Sequence, residues 1–239
     1  MISSSHRKRF PLYLSLSLSL SLSRKIVWNQ GDAASHSGTM FSWNTTATSA
    51  TVTSGATDLR GEPDHWGHYK GALQYCGSLS FVSLPESLKN IGVCSFFCCE
   101  SLTEISLPSQ LCQIEQRAFQ GCSGLAAITL PKLIASLPSS VFEGCTSLRS
   151  VTVLSPNFKK IESSAFFNCQ GLSVITFRNG LRCLPEVADT SFYHCPDDLC
   201  LEVQEEDGSN ANRDIIDALL ARLREIKVTA AFEREISSC

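Results

Sequence analysis

The residues of this sequence best suited to chemistry are its twelve cysteines and five histidines. A cysteine beside a histidine can be activated as a nucleophile, and groups of both can bind a metal ion. His194 directly precedes Cys195, while His65 and His68 lie a few residues before Cys76. No two cysteines are separated by two residues, so the CxxC spacing typical of zinc sites is missing from the sequence.

Six of the cysteines recur at a nearly constant interval, which favours a structural explanation for them. They follow one another after 23, 23, 23, 24 and 26 residues, each with an apolar residue three places earlier. The pairs are Leu73 with Cys76, Phe96 with Cys99, Phe119 with Cys122, Phe142 with Cys145, Phe166 with Cys169, and Phe192 with Cys195. Because stacked units would hold these side chains parallel, which suits disulfides poorly, we expect buried free thiols rather than a disulfide or metal ladder. Cys94, Cys98, Cys183 and Cys200 fall outside this phase and could react or pair where exposed.

Further apolar residues keep the same phase and form the pattern LxxIxL. The positions are Leu79, Leu102, Leu125, Leu148 and Leu172, then Val82, Ile105, Ile128, Val151 and Ile175, then Leu84, Leu107, Leu130, Val153 and Phe177. The alternation with period two predicts a strand with its leucine and isoleucine side chains inside. A proline ends it in three copies, at Pro85, Pro108 and Pro131. The returning segment is expected to form irregular or 3₁₀ turns.

These repeats predict an α/β solenoid, because one unit cannot bury its apolar face alone but stacked units can. A period of 23 residues lies within the range of leucine-rich repeats. We therefore expect a short right-handed superhelix with one parallel β-strand per repeat of about 23 residues.

The run LPSQLCQIEQRAFQGCSGLAAITLP, residues 107–131, resembles the BspA-like or Treponema-type leucine-rich repeat. The resemblance covers roughly residues 73–203, and it is specific because the motif recurs in phase. It implies a curved solenoid of parallel strands that serves adhesion or protein binding and has no enzymatic activity of its own. The fifth unit departs from the pattern around Ser155 and Pro156, and the sixth gains residues between Leu184 and Phe192.

The chain divides into four segments by composition. Residues 1–60 are expected to be low-complexity and disordered, residues 61–78 an N-terminal cap, residues 79–203 the repeat domain, and residues 204–239 a C-terminal capping helix and tail. The Leu-Ser stretch at 10–23 follows a basic cluster and could act as a secretory signal, although half of its residues are serine. Residues 44–57 are predicted to be a flexible linker whose sequon at Asn44 matters only if the chain is secreted.

Both ends of the solenoid need covering. Trp66, Tyr69 and Tyr75 are expected to cover its first coil, which is a better explanation for this region than a metal site. At the other end, Asn212 suits a helix N-cap, and apolar residues from Ile215 to Ile226 recur at helical spacing. Capping of the last coil is favoured over docking onto a partner helix.

The regular outer face of the predicted strands favours a non-catalytic module that binds a protein partner. Its candidate residues are Phe81, Ser83, Glu104, Ser106, Ala127, Thr129, Ser150, Thr152, Val174 and Thr176. We expect no catalytic residue, metal or cofactor. A net charge of −3 argues against nucleic-acid binding. No stretch of the sequence is apolar enough to span a membrane stably. The chain is expected to be a monomer. A cell-surface adhesin and a vestigial repeat fragment without a ligand are the alternatives. The free thiols slightly favour the cytoplasm.

Overall fold

The structure is a computed structural model. It describes the backbone of residues 25–28, and residues 47–61, 70–204, 214–215 and 217–226. Within these residues no helix combines the length and apolar character needed to cross a membrane. The signal-like stretch at 10–23, the sequon at Asn44 and the side chains of His65, His68, Trp66 and Tyr69 lie outside the described residues.

The described chain forms a solenoid of parallel strands with two strand-bearing faces. The longer strands follow the LxxIxL motif or its equivalent and form what we call the long-strand face. They are β1 (Lys25–Trp28), β2 (Ser49–Val52), β4 (Phe81–Ser83), β7 (Ala127–Leu130), β9 (Ser150–Val153), β11 (Val174–Phe177) and β13 (Cys200–Val203). Their order is β1-β2-β4 in one sheet and β13-β11-β9-β7 in another, and the strands pair in parallel within both sheets. The fold class predicted from the repeats is therefore confirmed.

The returning segment forms short strands, which differs from the irregular or 3₁₀ turns expected from the sequence. These two-residue strands form what we call the short-strand face. They are β3 (Asp58–Leu59), β5 (Asn90–Ile91), β6 (Gln113–Ile114), β8 (Ser136–Leu137), β10 (Lys160–Ile161) and β12 (Glu186–Val187). Their orders are β3-β5-β6 and β12-β10-β8. Since the second residue of each strand is buried, pairing with the next coil gives its backbone groups partners away from water.

The in-phase residues fill one continuous core between the two faces. The phenylalanines of successive coils stack, with ring centroids 5.1 Å apart for Phe96 and Phe119 and 5.6 Å apart for Phe119 and Phe142. The same stacking continues to Phe166 and Phe192. The cysteine, leucine and isoleucine positions beside them are buried in the same cluster. The interior slots predicted from the 23-residue phase are thus confirmed.

The turns between the faces contain two columns of left-handed residues that the sequence analysis missed. One column is Tyr75, Cys98, Gly121, Gly144, Asn168 and His194, and the other is Cys94, Arg117, Ser140 and Ser164. Only glycine adopts this conformation without strain. At Gly121 the neighbouring coil also matters, because a Cβ placed there would lie 2.9 Å from the Cys98 Sγ. The Cys98 side chain is accommodated because the next coil carries glycine at the matching position.

The coil formed by residues 47–59 corrects the prediction that this region is a disordered or linker segment. Within it, Ser49–Val52 form β2, which pairs with β4, and Asp58–Leu59 form β3, which pairs with β5. Ala50 and Val52 belong to the core cluster. The Thr/Ala/Val alternation suits a strand, but its small residues give a weaker apolar pattern than leucine. Tyr75 does not cover an open end as expected; it is 48% exposed and meets Phe97 edge-on.

The C-terminal helix, α1, comprises the helical residues 214–215 and 217–226. Leu219, Leu223 and Ile226 are buried and join the core cluster of the solenoid. Arg222 on the same helix forms an ion pair with Asp189 of the last coil. The predicted helix at the C-terminal end is confirmed, and its apolar stripe packs against the repeat core. The predicted N-cap, Asn212, lies outside the described residues.

Candidate functional site

The long-strand face presents two columns of solvent-facing side chains. Within each strand they alternate with buried residues, as in β7, where Ala127 and Thr129 are exposed while Ile128 and Leu130 are buried. Of the ten residues predicted to form the binding face, six are exposed and four are half-buried. The exposed ones are Phe81, Ser83, Glu104, Ser106, Ala127 and Thr129, and the half-buried ones are Ser150, Thr152, Val174 and Thr176.

The strand register brings the predicted residues of β7, β9 and β11 side by side. Ala127, Ser150 and Val174 are register partners in one column, and Thr129, Thr152 and Thr176 are partners in the other. The columns continue beyond the prediction. At one end Cys200 and Glu202 of β13 join them, and Thr176 Oγ1 donates to Glu202 Oε2 at 3.4 Å. At the other end Ser49 and Thr51 of β2 lie beside Phe81 and Ser83.

The two columns consist mainly of small, uncharged side chains. On the segments from β2 to β13, whose side chains are described, their charged members are Glu104 and Glu202, and both are exposed. The largest side chain is Phe81, which is 56% exposed. An exposed aromatic ring beside hydroxyl-bearing residues suits contact with a protein surface. The face lacks the concentrated positive charge that nucleic-acid binding requires.

The regular column of cysteines is buried, and each of five thiols donates its S–H to a backbone carbonyl of the preceding coil. The bonds run from Cys99 to Leu73 at 3.1 Å, Cys122 to Phe96 at 3.0 Å, Cys145 to Phe119 at 3.2 Å, Cys169 to Phe142 at 3.0 Å, and Cys195 to Phe166 at 3.0 Å. The cysteines of the described chain are free. This confirms the interpretation as buried thiols, and the S–H bonds explain why cysteine rather than alanine recurs here.

Burial also lowers the nucleophilic reactivity of these thiols. It raises the pKa of the Cys76 thiol to about 11 and the pKa of Cys99, Cys122, Cys145 and Cys169 well above the ordinary cysteine value. A thiol reacts through its thiolate, so a raised pKa lowers its reactivity.

The other described histidine and cysteine side chains that could take part in catalysis or metal binding do not lie together. His194 is exposed, and its ring meets Phe167 edge-on with centroids 5.2 Å apart, whereas the neighbouring Cys195 is buried. Cys112, Cys183 and Cys200 are exposed, and Cys94 and Cys98 are half-buried. Burial raises the pKa of both half-buried thiols. Within the described ranges, no three His, Cys, Asp or Glu side chains come close enough to hold a metal ion together.

The parallel solenoid, with a long strand in its described coils except the one that contains residues 104–107, defines the class of this protein as a repeat protein. The sequence model of the BspA type leucine-rich-repeat region matches residues 69–197 in six copies, which is more than half of the chain. The chain belongs to this family. The resemblance stated from residues 107–131 is therefore confirmed.

Solved structures similar to this chain include a leucine-rich-repeat protein of T. pallidum, which is 21% identical, with 73% of each chain covered and a TM-score of 0.55. The pneumococcal vaccine antigen PcpA is 18% identical, with 66% of this chain and 36% of that chain covered and a TM-score of 0.46. A leucine-rich cell surface protein of Faecalibacterium prausnitzii is 19% identical, with 70% and 62% covered and a TM-score of 0.31. A comparison with curated proteins gave no match. At these identities the likeness to the first structure supports the fold alone.

Proposed function

We propose that this protein is a non-catalytic interaction module whose long-strand face binds a protein partner. The observation that carries the proposal is the pair of aligned columns on β7, β9, β11 and β13, with a second aligned pair on β2 and β4, which present mainly small, uncharged side chains on a fixed backbone. Solenoids create extended surfaces of this kind, and leucine-rich-repeat domains typically bind proteins. We propose that the chain acts as a monomer and needs no cofactor.

A non-catalytic role is supported by where the reactive groups lie. The regular thiols face the core and donate to backbone carbonyls, and their raised pKa keeps them protonated. His194 is exposed beside Phe167 rather than enclosed in a cleft with a nucleophile. Catalysis requires an acid, base or nucleophile held beside a substrate site. The family is also one of generally non-enzymatic repeats.

Arginine substitutions on the long-strand face should abolish partner capture. We expect Phe81→Arg and Ser150→Arg to lower the amount of captured partner at least about tenfold, since a long charged side chain would replace contact surface near the centre of the face. The measurement is affinity purification from the native source with quantitative mass spectrometry.

Matched controls place arginine outside that face. Ser163 and Glu186 are exposed on or beside the short-strand face, so Ser163→Arg and Glu186→Arg should leave capture unchanged. Equal capture by all four variants, or no reproducible partner of the unsubstituted chain, would contradict the proposal. The second outcome would favour a repeat fragment without a dedicated ligand.

A further inference from the structure

Phe81 and Glu104 hold the same outward position on consecutive coils of the long-strand face. They are one 23-residue repeat apart, and the residues that follow them, Val82 and Ile105, are both buried in the core cluster. Phe81 is 56% exposed, and Glu104 is also exposed. An exposed aromatic ring and an exposed carboxylate thus occupy successive positions of one column. We call these two residues the aromatic–acid pair.

Backbone hydrogen bonds on either side hold the two coils beside each other. Before the pair, Ser101 N–H donates to the Gly77 carbonyl at 3.0 Å. After it, Cys112 N–H donates to the Lys89 carbonyl at 2.9 Å. Residues 104–107 form no strand with β4, but coils joined at both ends in this way run at about the 4.8 Å spacing of paired strands. The two members of the aromatic–acid pair are therefore neighbours on the surface.

Both members of the pair are available to a ligand. Among the described residues, Glu104 forms no ion pair or hydrogen bond, and the ring of Phe81 meets no other aromatic ring. The basic residues of the next coils on this side are distant in register. Arg149 lies two coils away, about 10 Å, and Lys132 lies five residues past Ala127, the next residue of the column, about 16 Å along the chain. Both distances exceed the screening length of about 8 Å in physiological salt.

The surroundings of the pair leave room for a ligand. The exposed side chains nearest in register, Ser83, Ser106 and Ala127, are small. Glu104 also lines an open groove of about 890 Å³, which runs across neighbouring coils from Glu86 to Leu154. Pockets that bind ligands occupy about 300–1,000 Å³. A segment of another protein can therefore lie on this surface without separating the coils.

The charges along the groove favour a cationic ligand at its Glu104 end. Where the groove reaches the turns, Lys132 lies together with Glu86, whose Oε2 accepts from the Ser109 N–H at 3.3 Å. Those two charges offset each other, whereas Glu104 has no such neighbour. An acidic ligand is accordingly disfavoured at the aromatic–acid pair and a basic one is favoured.

A carboxylate beside an aromatic ring suits arginine better than lysine. The guanidinium group is planar, permanently charged and weakly hydrated, so it can pair with a carboxylate and stack on a ring at the same time. The lysine ammonium is a compact, strongly hydrated charge that gains less from the ring.

We propose that the aromatic–acid pair binds an arginine side chain of a partner protein. The guanidinium group faces the Glu104 carboxylate and stacks on the Phe81 ring, and the segment that carries it lies over the groove. This deepens the proposed function and rests on it, because it assigns one recognition element within the long-strand face.

The test compares mixtures of nine-residue peptides that differ only at the central residue, which is Arg, Lys, citrulline or Glu. The other positions are equal mixtures of Ser, Thr, Val and Leu, and binding to the full chain is followed by fluorescence anisotropy. Citrulline has nearly the shape of arginine but no charge. An exposed ion pair contributes up to about fivefold in affinity, and an exposed cation–π contact about two- to fivefold. We therefore expect Arg mixtures to bind about tenfold more tightly than citrulline mixtures, with Lys between them and Glu weakest.

Two variants of the full chain separate the contributions. Glu104→Gln should lower the preference for Arg over citrulline to about threefold or less, since only the ring contact remains. Phe81→Leu should bring the Arg and Lys mixtures within about twofold of each other, since the carboxylate alone distinguishes them little. The double variant should show no preference beyond about twofold.

Matched controls carry the same changes elsewhere. Glu186→Gln removes an exposed carboxylate from the short-strand face, and Tyr75→Leu removes an aromatic ring that is 48% exposed in a turn. Both should keep the full preference for Arg. All four positions are exposed, so the variants should fold, and circular dichroism checks that they do.

Any of four results would overturn the arginine site: no binding of the Arg mixture at about 1 mM, a preference for Arg over citrulline below about twofold, an unchanged preference in Glu104→Gln, or its loss in Glu186→Gln. A dimer seen by sedimentation and lost in Glu104→Gln would also overturn it, because a second copy would then supply the cation.

The proposed function is tested apart from this site by Ser150→Arg, since Ser150 lies two coils from Glu104. Loss of partner capture in Ser150→Arg without any preference for Arg peptides would remove only the present inference. A preference for Arg peptides that depends on Glu104, together with unchanged capture in Ser150→Arg, would keep the arginine site and contradict the wider binding face.

Discussion

Replacing Phe142 by alanine is expected to lower the free energy of unfolding by about 3–5 kcal/mol, the usual effect of truncating a buried phenylalanine. Phe142 is fully buried, and its ring stacks between Phe119 and Phe166 with both centroid distances at 5.6 Å. Removal of the ring leaves a cavity that the neighbouring coils cannot fill, because backbone hydrogen bonds from Phe119 N–H to the Val141 carbonyl and from Phe142 N–H to the Ala165 carbonyl fix the chain beside the ring. Urea denaturation followed by circular dichroism measures the change.

The control for this substitution is Leu133→Ala. Leu133 is 51% exposed, so its truncation should change the free energy of unfolding by no more than about 0.5 kcal/mol. If Phe142→Ala lowered the free energy of unfolding by less than about 1 kcal/mol, the packed aromatic column would be contradicted. Truncation of a ring packed inside such a column must remove buried contacts.

Leu223→Asp is expected to detach α1 from the repeat core. Leu223 is 4% exposed and belongs to the same core cluster as the repeat residues. Burial of an unpaired carboxylate there would cost several kcal/mol, which exceeds what a short helix gains on its own. Circular dichroism at 222 nm should show loss of the helix, and hydrogen exchange should accelerate in β13, the strand at this end of its sheet.

The adjacent residue provides the matched control. Arg224 is exposed on the same helix, so Arg224→Asp introduces the same carboxylate into water. It should leave the helical signal and the β13 exchange rates unchanged. Equal behaviour of the two variants would show that α1 does not depend on its apolar stripe for docking.

The part of the fold that the sequence predicted is the part that repeats. Phe, Cys, Leu and Ile fall into the same interior slots because each coil must return the same side chains to one core, and this constraint is visible as a 23-residue phase. The helix near the C-terminus was predictable for a similar reason, since Leu219, Leu223 and Ile226 recur at helical spacing.

The coil of residues 47–59 was missed because its interior is built from smaller residues. Ala50 fills a slot that larger residues such as Val82 occupy elsewhere, and β2 and β4 are 32 residues apart in register instead of 23. A search for leucine at a constant interval does not detect this coil. The alternation of Ala50 and Val52 with exposed or half-buried polar residues was the available signal.

The candidate binding face was predictable residue by residue, but the missing strand at residues 104–107 was not. The full or partial exposure of eight of the ten face residues follows from strand alternation, while Glu104 and Ser106 lie in a segment that forms no strand; the role of all ten in binding remains a prediction. The hydrogen bonds that the thiols donate were not predictable either. They depend on how adjacent coils are positioned relative to each other, and the spacing of the cysteines in the sequence does not determine that position.

The most direct test of the account is alkylation of the native chain by iodoacetamide, with the rate at each cysteine measured by mass spectrometry. The central claim is that the in-phase residues occupy one interior. It predicts rapid reaction at the exposed Cys112 and Cys183, and reaction at Cys122 and Cys145 that is slower by about a thousandfold or more, because those thiols become accessible only through unfolding. Comparable rates at all four positions under native conditions would contradict the buried column and the solenoid built around it.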